Sequence, residues 1–252
     1  VVEVDAVTGK MTAKSVGTAR ITATSTFVPS GSQPASASCV VTVKEASAAD
    51  PKVGDYYYSD GTWSTERDAD KTVIGVVFST FNATGEDSKL REDYPACSNG
   101  LVVCIEELNS IFGANRGLDD DKNKTDDMYE WIYSNHNVVN YSINGANGYS
   151  ATLALKAYRQ YKNLSDCCTI VTVLNDNSLP SAPTAKPNSK WYIPSYKEMQ
   201  LLGEARTTVN DVISTVTGGE QIGTGDYWTS SLKYVENRSG NAMIGYTYYY
   251  DT

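Results

Sequence analysis

The sequence predicts two domains of different class: a partial all-β sandwich over residues 1–46 and an α+β domain over residues 53–252. Three observations support this prediction. Short segments of alternating apolar and polar residues, separated by Gly and Ser turns, fill the first 46 residues. A linker of small residues and one proline follows over 47–52. Beyond it, two helical patterns stand among several strand patterns, which is typical of an α+β domain.

The elements of the first domain are short strands. "VVEVDAVTGKMTA" contains two alternating segments around a Thr-Gly turn, and "GTARITATSTF" and "ASCVVTVKE" repeat the pattern. β-branched strands at this spacing are typical of a small sandwich.

In the second domain, "GDYYYSDGTWS" predicts a hairpin with an Asp-Gly turn, and the apolar run "TVIGVVFSTF" predicts a central strand. "NGLVVCIEEL", "GDYWTSS" and "NAMIGYTYYYD" predict further strands. "GYSATLALKAYRQYKN" has Ala151, Leu155 and Tyr158 on one helical face, and "PSYKEMQLLGEAR" predicts a second helix.

The start of that second helix raises the question of whether Ser195 is a nucleophile. A catalytic serine needs a base, nearly always His, and His136 is the only histidine. The G-x-S-x-G pattern is absent around Ser195. Ser195 and Glu198, however, have the spacing of a capping box. We therefore interpret Ser195 as a helix N-cap and predict no catalytic residue.

The composition limits the classes of binding partner that the chain can have. The formal net charge of −9 argues against nucleic acid and anionic membranes, which bind basic surfaces. No apolar run is long enough to span a membrane. Five cysteines without a CxxC motif do not indicate a zinc site. They are either structural thiols or include a bridge from Cys167 or Cys168 to Cys97 or Cys104.

Two stretches resemble known families. "VDAVTGKMTAKSVGTARITAT", with the "VTV" strand at 41–43, is similar to the second half of a bacterial immunoglobulin-like domain of group 2. This resemblance implies a spacer in bacterial surface or secreted proteins. "WYIPSYKEM", followed by "YWTSS", resembles the signature of the bacterial C-type-lectin-like fold, in the branch related to formylglycine-generating enzymes.

The second resemblance covers about 52–252 and implies two helices packed on a twisted, mostly antiparallel sheet. It also implies that Trp191 and Trp228 lie in the core. Formylglycine generation would need a reactive cysteine pair, for which the adjacent Cys167 and Cys168 are the candidates, but nothing basic surrounds them. The calcium-dependent sugar site of animal C-type lectins is not expected, because "KPN" at 186–188 lacks the required carboxylate or amide.

The acidic segment "DDDKNKTDDMYE", residues 119–130, offers candidate calcium ligands. Position 6 of the loop is Lys124 instead of Gly, so a solvated acidic loop is the alternative. We predict no other cofactor. The oxygen-bearing residues at EF-hand positions 1, 3, 5, 9 and 12 are Asp119, Asp121, Asn123, Asp127 and Glu130.

The C-terminal stretch 227–252 contains six tyrosines with Asn, Arg and Ser among them. Rigid aromatic side chains with adaptable polar neighbours are typical of binding surfaces. The alternative to a binding surface is an ordinary Tyr-rich pair of strands with one face exposed to solvent. In one set of C-type-lectin-fold proteins, which retroelements diversify, this region carries the variable binding residues. The resemblance therefore also implies that 227–252 is such a variable region. The predicted ligand-binding residues are Tyr234, Asn237, Arg238, Asn241, Tyr246, Tyr248 and Tyr250.

Together these features predict a non-catalytic binding or adhesion protein, secreted or anchored at the outer membrane of a bacterium. An Ig-like stalk would carry a C-type-lectin-like head, and the partner would be a host or bacterial surface protein or glycan. The alternative is a structural or tip subunit of a surface fibre or pilus, completed by a strand from another chain.

Overall fold

The structure is a computed structural model, and it divides the chain into two compact units, Val1–Ala49 and Asp50–Thr252. The boundary falls within the range 47–52. For residues 232–250 only the backbone is described. The described residues are 2–15, 17–43, 50–109, 131–132, 134–135, 145–163, 168–172, 174, 179–184, 186–237 and 240–250.

The unit Val1–Ala49 contains two antiparallel hairpins, β1–β2 and β3–β4, as separate two-stranded sheets. In the turn of the first hairpin, the Asp5 carboxylate accepts hydrogen bonds from the amides of Val7 and Thr8. The strand predictions for this region are confirmed, whereas the Ig-like sandwich stays a prediction. The strands are β1 (Val2–Val4), β2 (Met11–Ala13), β3 (Gly17–Thr24) and β4 (Ser36–Val43).

The unit Asp50–Thr252 is built on a four-stranded antiparallel sheet with the order β6-β5-β7-β8. Strands β5 and β6 form the predicted hairpin around the Asp60–Gly61 turn. Every residue of β7 is buried, as its continuous apolar run predicts. The strands are β5 (Tyr56–Tyr58), β6 (Trp63–Ser64), β7 (Val73–Ser79) and β8 (Leu101–Cys104).

Three α-helices are described over their whole length: α1 (Ser88–Asp93), α2 (Gly148–Lys162) and α3 (Tyr196–Ile213). Residues 131–132 and 134–135 are helical as well. Helices α2 and α3 are the two that the sequence predicts. The expected number of two helices is therefore wrong. Helix α1 was not predicted because its six residues are too few to show a helical apolar stripe. Helices beside antiparallel sheets give this unit the mixed content of the α+β class.

A long hairpin, β9 (Gly225–Asn237) and β10 (Gly240–Tyr250), forms a separate two-stranded sheet. Its register shifts once. Trp228 pairs with Thr247 and Leu232 pairs with Gly245, so three residues of β9 stand opposite one residue of β10. This bulge, residues 229–231, is fully buried.

The main core lies between helix α3 and the four-stranded sheet. A second cluster packs beneath α2 and includes Leu155, Tyr158 and Ile193. The residues that α3 contributes to the main core are Met199, Leu202, Ala205, Val209 and Ile213.

The two tryptophans that are expected in the core differ in how far they are buried. Trp191 is partly buried: its ring lies beside Gly75, and its Nε1 donates a hydrogen bond to the Pro180 carbonyl oxygen at 2.7 Å. Trp228 is 38% exposed, so its predicted core position is wrong. The bulge that begins immediately after Trp228 buries the small residues Thr229 and Ser230 instead.

Gly75 provides a direct test of this packing. A Cβ at this position would lie 2.5 Å from Val102 Cγ1 and 2.6 Å from the Val103 carbonyl oxygen. We expect Gly75→Ala to lower the free energy of unfolding by about 1–3 kcal/mol, because overpacking forces the neighbouring strand to move. Urea denaturation measures this change.

The matched control is Gly85→Ala, since no heavy atom lies within 4 Å of a Cβ built there. This control should change the free energy of unfolding by less than about 0.5 kcal/mol, as surface substitutions usually do. Equal losses in the two variants would contradict the packing described for β7 and β8.

Candidate functional site

The predicted ligand-binding residues lie on the β9–β10 hairpin, in two groups. The first group is near the hairpin turn. In the backbone register, Tyr234 pairs with Met243, and Asn237 pairs with Gly240. Asn241 follows directly on β10. The predicted Arg238 lies outside the described residues.

The second group is at the other end of the hairpin, which we call the hairpin base (residues 225–231 and 246–250). Here Tyr248 pairs with Tyr227, and Tyr250 pairs with Gly225. Tyr246 stands opposite the bulge, between the paired residues Gly245 and Thr247. The backbone register therefore places these tyrosines close together at one end of the hairpin.

From end to end, the predicted contact residues extend over a greater length than one small ligand. Met243, the partner of Tyr234, and Tyr250 are seven residues apart on β10. At about 3.4 Å per residue this is roughly 24 Å. A ligand that contacts both Tyr234 and Tyr250 must therefore be a protein surface, an extended peptide or a glycan chain.

The hairpin base is attached to the start of helix α3 by two hydrogen bonds, one between backbone groups and one from a backbone amide to a side chain. The Ser230 amide donates to the Pro194 carbonyl oxygen at 2.8 Å, and the Tyr196 amide donates to Ser231 Oγ at 2.9 Å. Ser230 and Ser231 are both buried. The segments "WYIPS" and "YWTSS" thus contact each other directly, which fixes where the hairpin leaves the body of this unit.

Beneath this junction, the start of α3 is organised by a buried carboxylate. Glu198 is 1% exposed. Its Oε2 accepts a hydrogen bond from the Ser195 amide at 2.6 Å, and its Oε1 accepts one from the Tyr192 hydroxyl at 2.9 Å. Ser195 Oγ accepts from the Glu198 amide, so the predicted capping box is confirmed.

Burial raises the pKa of Glu198 above its ordinary value. The hydrogen bonds from Ser195 and Tyr192 oppose this effect, and the nearby Asp87 adds to it. Gly148 packs against the Glu198 carboxylate, where a side chain would collide with it. Because the Ser195 hydroxyl is buried and is used as a helix cap, it is positioned for structure rather than for attack on a substrate.

A second buried carboxylate serves two helices at once. Asp87 is the N-cap of α1, and its Oδ1 accepts from the Leu90 amide at 2.9 Å. Its Oδ2 accepts from the Ser150 amide in the first turn of α2 at 2.9 Å, and the Ser150 hydroxyl donates to Oδ1. The side chain of Asn147, the N-cap residue of α2, makes no capping bond, so Asp87 takes over that role.

The neighbouring Glu86 joins α3 to the same corner. Its carboxylate accepts hydrogen bonds from the Ala146 amide at 2.8 Å and from Lys197 Nζ at 2.5 Å. Burial alone would raise the pKa of Glu86, but these two donors hold it below its ordinary value. Lys197 Nζ also lies 4.6 Å from the centroid of the Phe81 ring.

On the other side of the hairpin base, Tyr227 links β9 to the segment after β8. Its hydroxyl donates to Glu107 Oε1 at 2.5 Å and accepts from the Gly223 amide at 2.9 Å. Burial, together with the Glu107 carboxylate, raises the pKa of Tyr227 to about 12. The Glu107 amide in turn donates to Glu220 Oε2 at 2.7 Å. This half-buried tyrosine is therefore a fixed part of the base.

The proposed calcium ligands Asp119, Asp121, Asn123, Asp127 and Glu130 lie outside the described residues. Within the described ranges, no group of three or more His, Cys, Asp or Glu side chains is arranged to hold a metal ion. In the "KPN" segment, the Asn188 amide donates to the carbonyl oxygens of Pro183 and Lys186 and so organises its own loop.

The cysteines that the structure describes do not form an accessible pair. Cys97 and Cys104 are unbridged thiols, and burial raises the pKa of Cys104 to about 11. Cys168 is buried, and Cys167 lies outside the described residues. In the part of the chain that the structure covers, no helix has the length and apolarity needed to cross a bilayer.

Comparison with protein-family models, with curated proteins and with solved structures finds no match to this chain.

Several residues that build the site were not predicted from the sequence. An N-cap pattern at Asp87, followed by Leu90 three residues later, was available as a local signal for α1. The bond from Ser150 to Asp87 joins residues 63 positions apart, and no local pattern indicates it. The core position of Trp228 is implied by the family resemblance, which does not indicate a bulge beside it.

The raised pKa of Glu198 predicts a specific pH dependence. Between the ordinary carboxyl pKa of about 4.5 and the higher pKa in the folded state, the folded protein retains a proton that the unfolded chain has lost. The stability of the wild type should therefore fall, relative to Glu198→Gln, as pH rises through this interval. Glutamine replaces the protonated carboxyl and does not titrate.

Urea denaturation of both proteins from pH 4 to pH 8 measures this difference. Carboxylates with lowered pKa, such as Asp93 and Glu86, act equally in both proteins and cancel. Glu198→Ala should lose about 1–3 kcal/mol at every pH, because it leaves the Ser195 amide without its acceptor. A difference between wild type and Glu198→Gln that is independent of pH would contradict the raised pKa.

Proposed function

We propose that the chain is a non-catalytic binding or adhesion protein of a bacterial surface, which binds its ligand through the β9–β10 hairpin. The unit Val1–Ala49 would act as an Ig-like stalk and the unit Asp50–Thr252 as a C-type-lectin-like head. The chain would be secreted or anchored at the outer membrane.

The observation that carries this proposal is the placement of the aromatic residues on one anchored hairpin. The stretch 225–250 has six tyrosines and one tryptophan. Trp228 is 38% exposed, while the residues directly after it are buried against the start of α3. Large aromatic side chains on a rigid base lose little conformational entropy on binding, and this makes them effective contact residues.

The size of the hairpin favours a large ligand. Its predicted contact residues extend over about 24 Å, from Tyr234 to Tyr250, by strand geometry. A surface protein or a glycan chain of several sugars extends over such a distance, whereas a single sugar does not. Aromatic rings stack on sugar faces as well as on peptide groups, so both ligand classes belong to the proposal.

The roles of the candidate nucleophiles support a protein without catalytic activity. Ser195 is buried and caps α3, and Cys168 is buried beneath α2. We propose calcium only for residues 119–130, as an accessory to binding.

The test begins with the full 252-residue chain on microarrays of glycans and of host and bacterial surface proteins. Binding to the strongest ligand is then measured for the wild type and for Trp228→Ala. We expect the variant to weaken binding at least tenfold, because loss of a central aromatic contact typically costs about 2 kcal/mol or more. Repetition in EDTA, followed by added calcium, tests the accessory site.

Tyr161→Ala is the matched control. Tyr161 is 55% exposed and stacks on Trp131 at a centroid distance of 5.0 Å, but it belongs to α2 and not to the hairpin. Its loss should leave affinity unchanged within about twofold, like most surface residues outside a binding hot spot. Weakening by Tyr161→Ala with no effect of Trp228→Ala would place the ligand elsewhere and refute the proposal.

A further inference from the structure

The contact between residues 194–196 and the bulge of β9, which we call the junction, is joined to a buried carboxyl group. The two hydrogen bonds of the junction use the Pro194 carbonyl oxygen and the Tyr196 amide. Ser195 lies between these two residues, and its amide donates to Glu198 Oε2. The Glu198 carboxyl group therefore cannot move into water without displacing the backbone that holds the hairpin.

Two buried carboxyl groups meet at the first turn of helix α2. Glu198 Oε2 packs against Gly148, the first residue of this helix. Asp87 accepts a hydrogen bond from the amide of Ser150, two residues further along. Both acids are 1% exposed. A carboxylate that is removed from water is costly, and a second negative charge nearby adds to this cost.

The packing around Glu198 excludes water on the side of helix α2. A Cβ built at Gly148 would lie 2.8 Å from the Ser195 amide nitrogen and would collide with Glu198 Oε2. A space that is too small for one carbon atom is also too small for a water molecule. An ionised Glu198 therefore gains hydration on this side only when the surrounding contacts open.

Two titratable groups act directly on Glu198. The Tyr192 hydroxyl donates to Oε1, and burial, together with the Glu198 carboxyl group, holds the pKa of Tyr192 well above its usual range. Asp87 opposes the ionisation of Glu198. The bulge, residues 229–231, contains no titratable side chain. The other described groups on the surrounding elements are Lys197 bonded to Glu86, Tyr149 bonded to Asp93, Arg91 bonded to a carbonyl oxygen, and the Cys97 thiol.

We propose that one proton on Glu198 controls the junction. The closed junction keeps the Glu198 carboxyl group protonated, and opening of the junction hydrates this group and releases its proton to solvent water. In the closed form, the carbonyl oxygen of the neutral acid accepts from the Ser195 amide, and its other oxygen lies 2.9 Å from the Tyr192 hydroxyl oxygen. In the open form, both hydrogen bonds of the junction are broken and the hairpin base moves.

The direction of the pH dependence follows from this exchange. Below the ordinary carboxyl pKa of about 4.5, Glu198 is protonated in both forms, and pH has no effect on the junction. Between that value and the higher pKa of the closed form, each opening releases a proton, so rising pH favours opening. Above the higher pKa, Glu198 is ionised in both forms and the effect levels off. The hairpin is therefore held most firmly at mildly acidic pH.

The junction would regulate ligand binding by the hairpin. A firmly held hairpin loses less conformational entropy on binding than a mobile one, so affinity should be higher at mildly acidic pH. This consequence rests on the proposed function. The junction itself is tested on the free protein, so a failure of the proton control and a failure of the proposed function are distinguishable.

The test is amide hydrogen exchange, measured by NMR on the full chain from about pH 4.5 to pH 8 for the wild type and Glu198→Gln. The amides of Ser230 and Tyr196 report the two bonds of the junction, after correction for the intrinsic exchange rate at each pH. In the wild type their protection should fall at least about tenfold and then level off, because each unit by which a pKa is raised is a tenfold factor. In Glu198→Gln it should change by less than about twofold, because glutamine keeps the acceptor oxygen and does not titrate.

The Val77 amide, which donates to the Asp55 carbonyl oxygen in the main sheet, is the reference for unfolding of the whole unit. Its protection should exceed that of Ser230 and Tyr196 at every pH. A second measurement needs no variant: the carboxyl carbon of Glu198, titrated by NMR in the wild type, gives the pH at which the fall should level off. Equal protection of Ser230 and Val77, the same fall in Glu198→Gln, or titration of Glu198 near its ordinary pKa would overturn the proposal.

Discussion

The first turns of the helices in Asp50–Thr252 depend on buried carboxylates. A helix start leaves backbone amides without partners, and burial makes each unpaired amide costly. Glu198 satisfies the start of α3, and Asp87 satisfies the starts of both α1 and α2. Burying these carboxylates is itself unfavourable unless they are hydrogen-bonded, so the helix starts and the acids stabilise each other. The three helices consequently meet at one corner of the unit, near residues 86, 148 and 195.

The hairpin depends on this corner. It is attached where α3 begins, through Pro194, Tyr196 and the buried bulge of β9. A long two-stranded ribbon is only marginally stable alone in water, so its base needs this attachment. The buried polar network holds the hairpin base in position, and five of the six tyrosines belong to that base. Changes of residue beyond the base, over 232–245, would therefore leave the support intact.

Local patterns predict most of the elements and few of the contacts between them. The Ser195/Glu198 cap was predictable because its two residues are three positions apart, and β7 because its apolar run is continuous. The double role of Asp87 and the bond between Tyr196 and Ser231 join distant segments and follow only from the tertiary structure. Trp228 shows the limit most clearly: the family resemblance implies a core position, but the bulge beside it has no local sequence signal and Trp228 is exposed. The sequence therefore indicates which stretch of the chain contains the candidate site, but not which of its side chains form a common surface.

The most direct test of the central claim is to map the contact surface of whichever array ligand binds the chain. Amide chemical shifts of the isotopically labelled protein would be recorded with increasing ligand. The claim predicts that the largest changes lie within 225–250, with smaller changes at the start of α3. Large changes confined to α2, to the four-stranded sheet or to Val1–Ala49, with the hairpin unchanged, would contradict it.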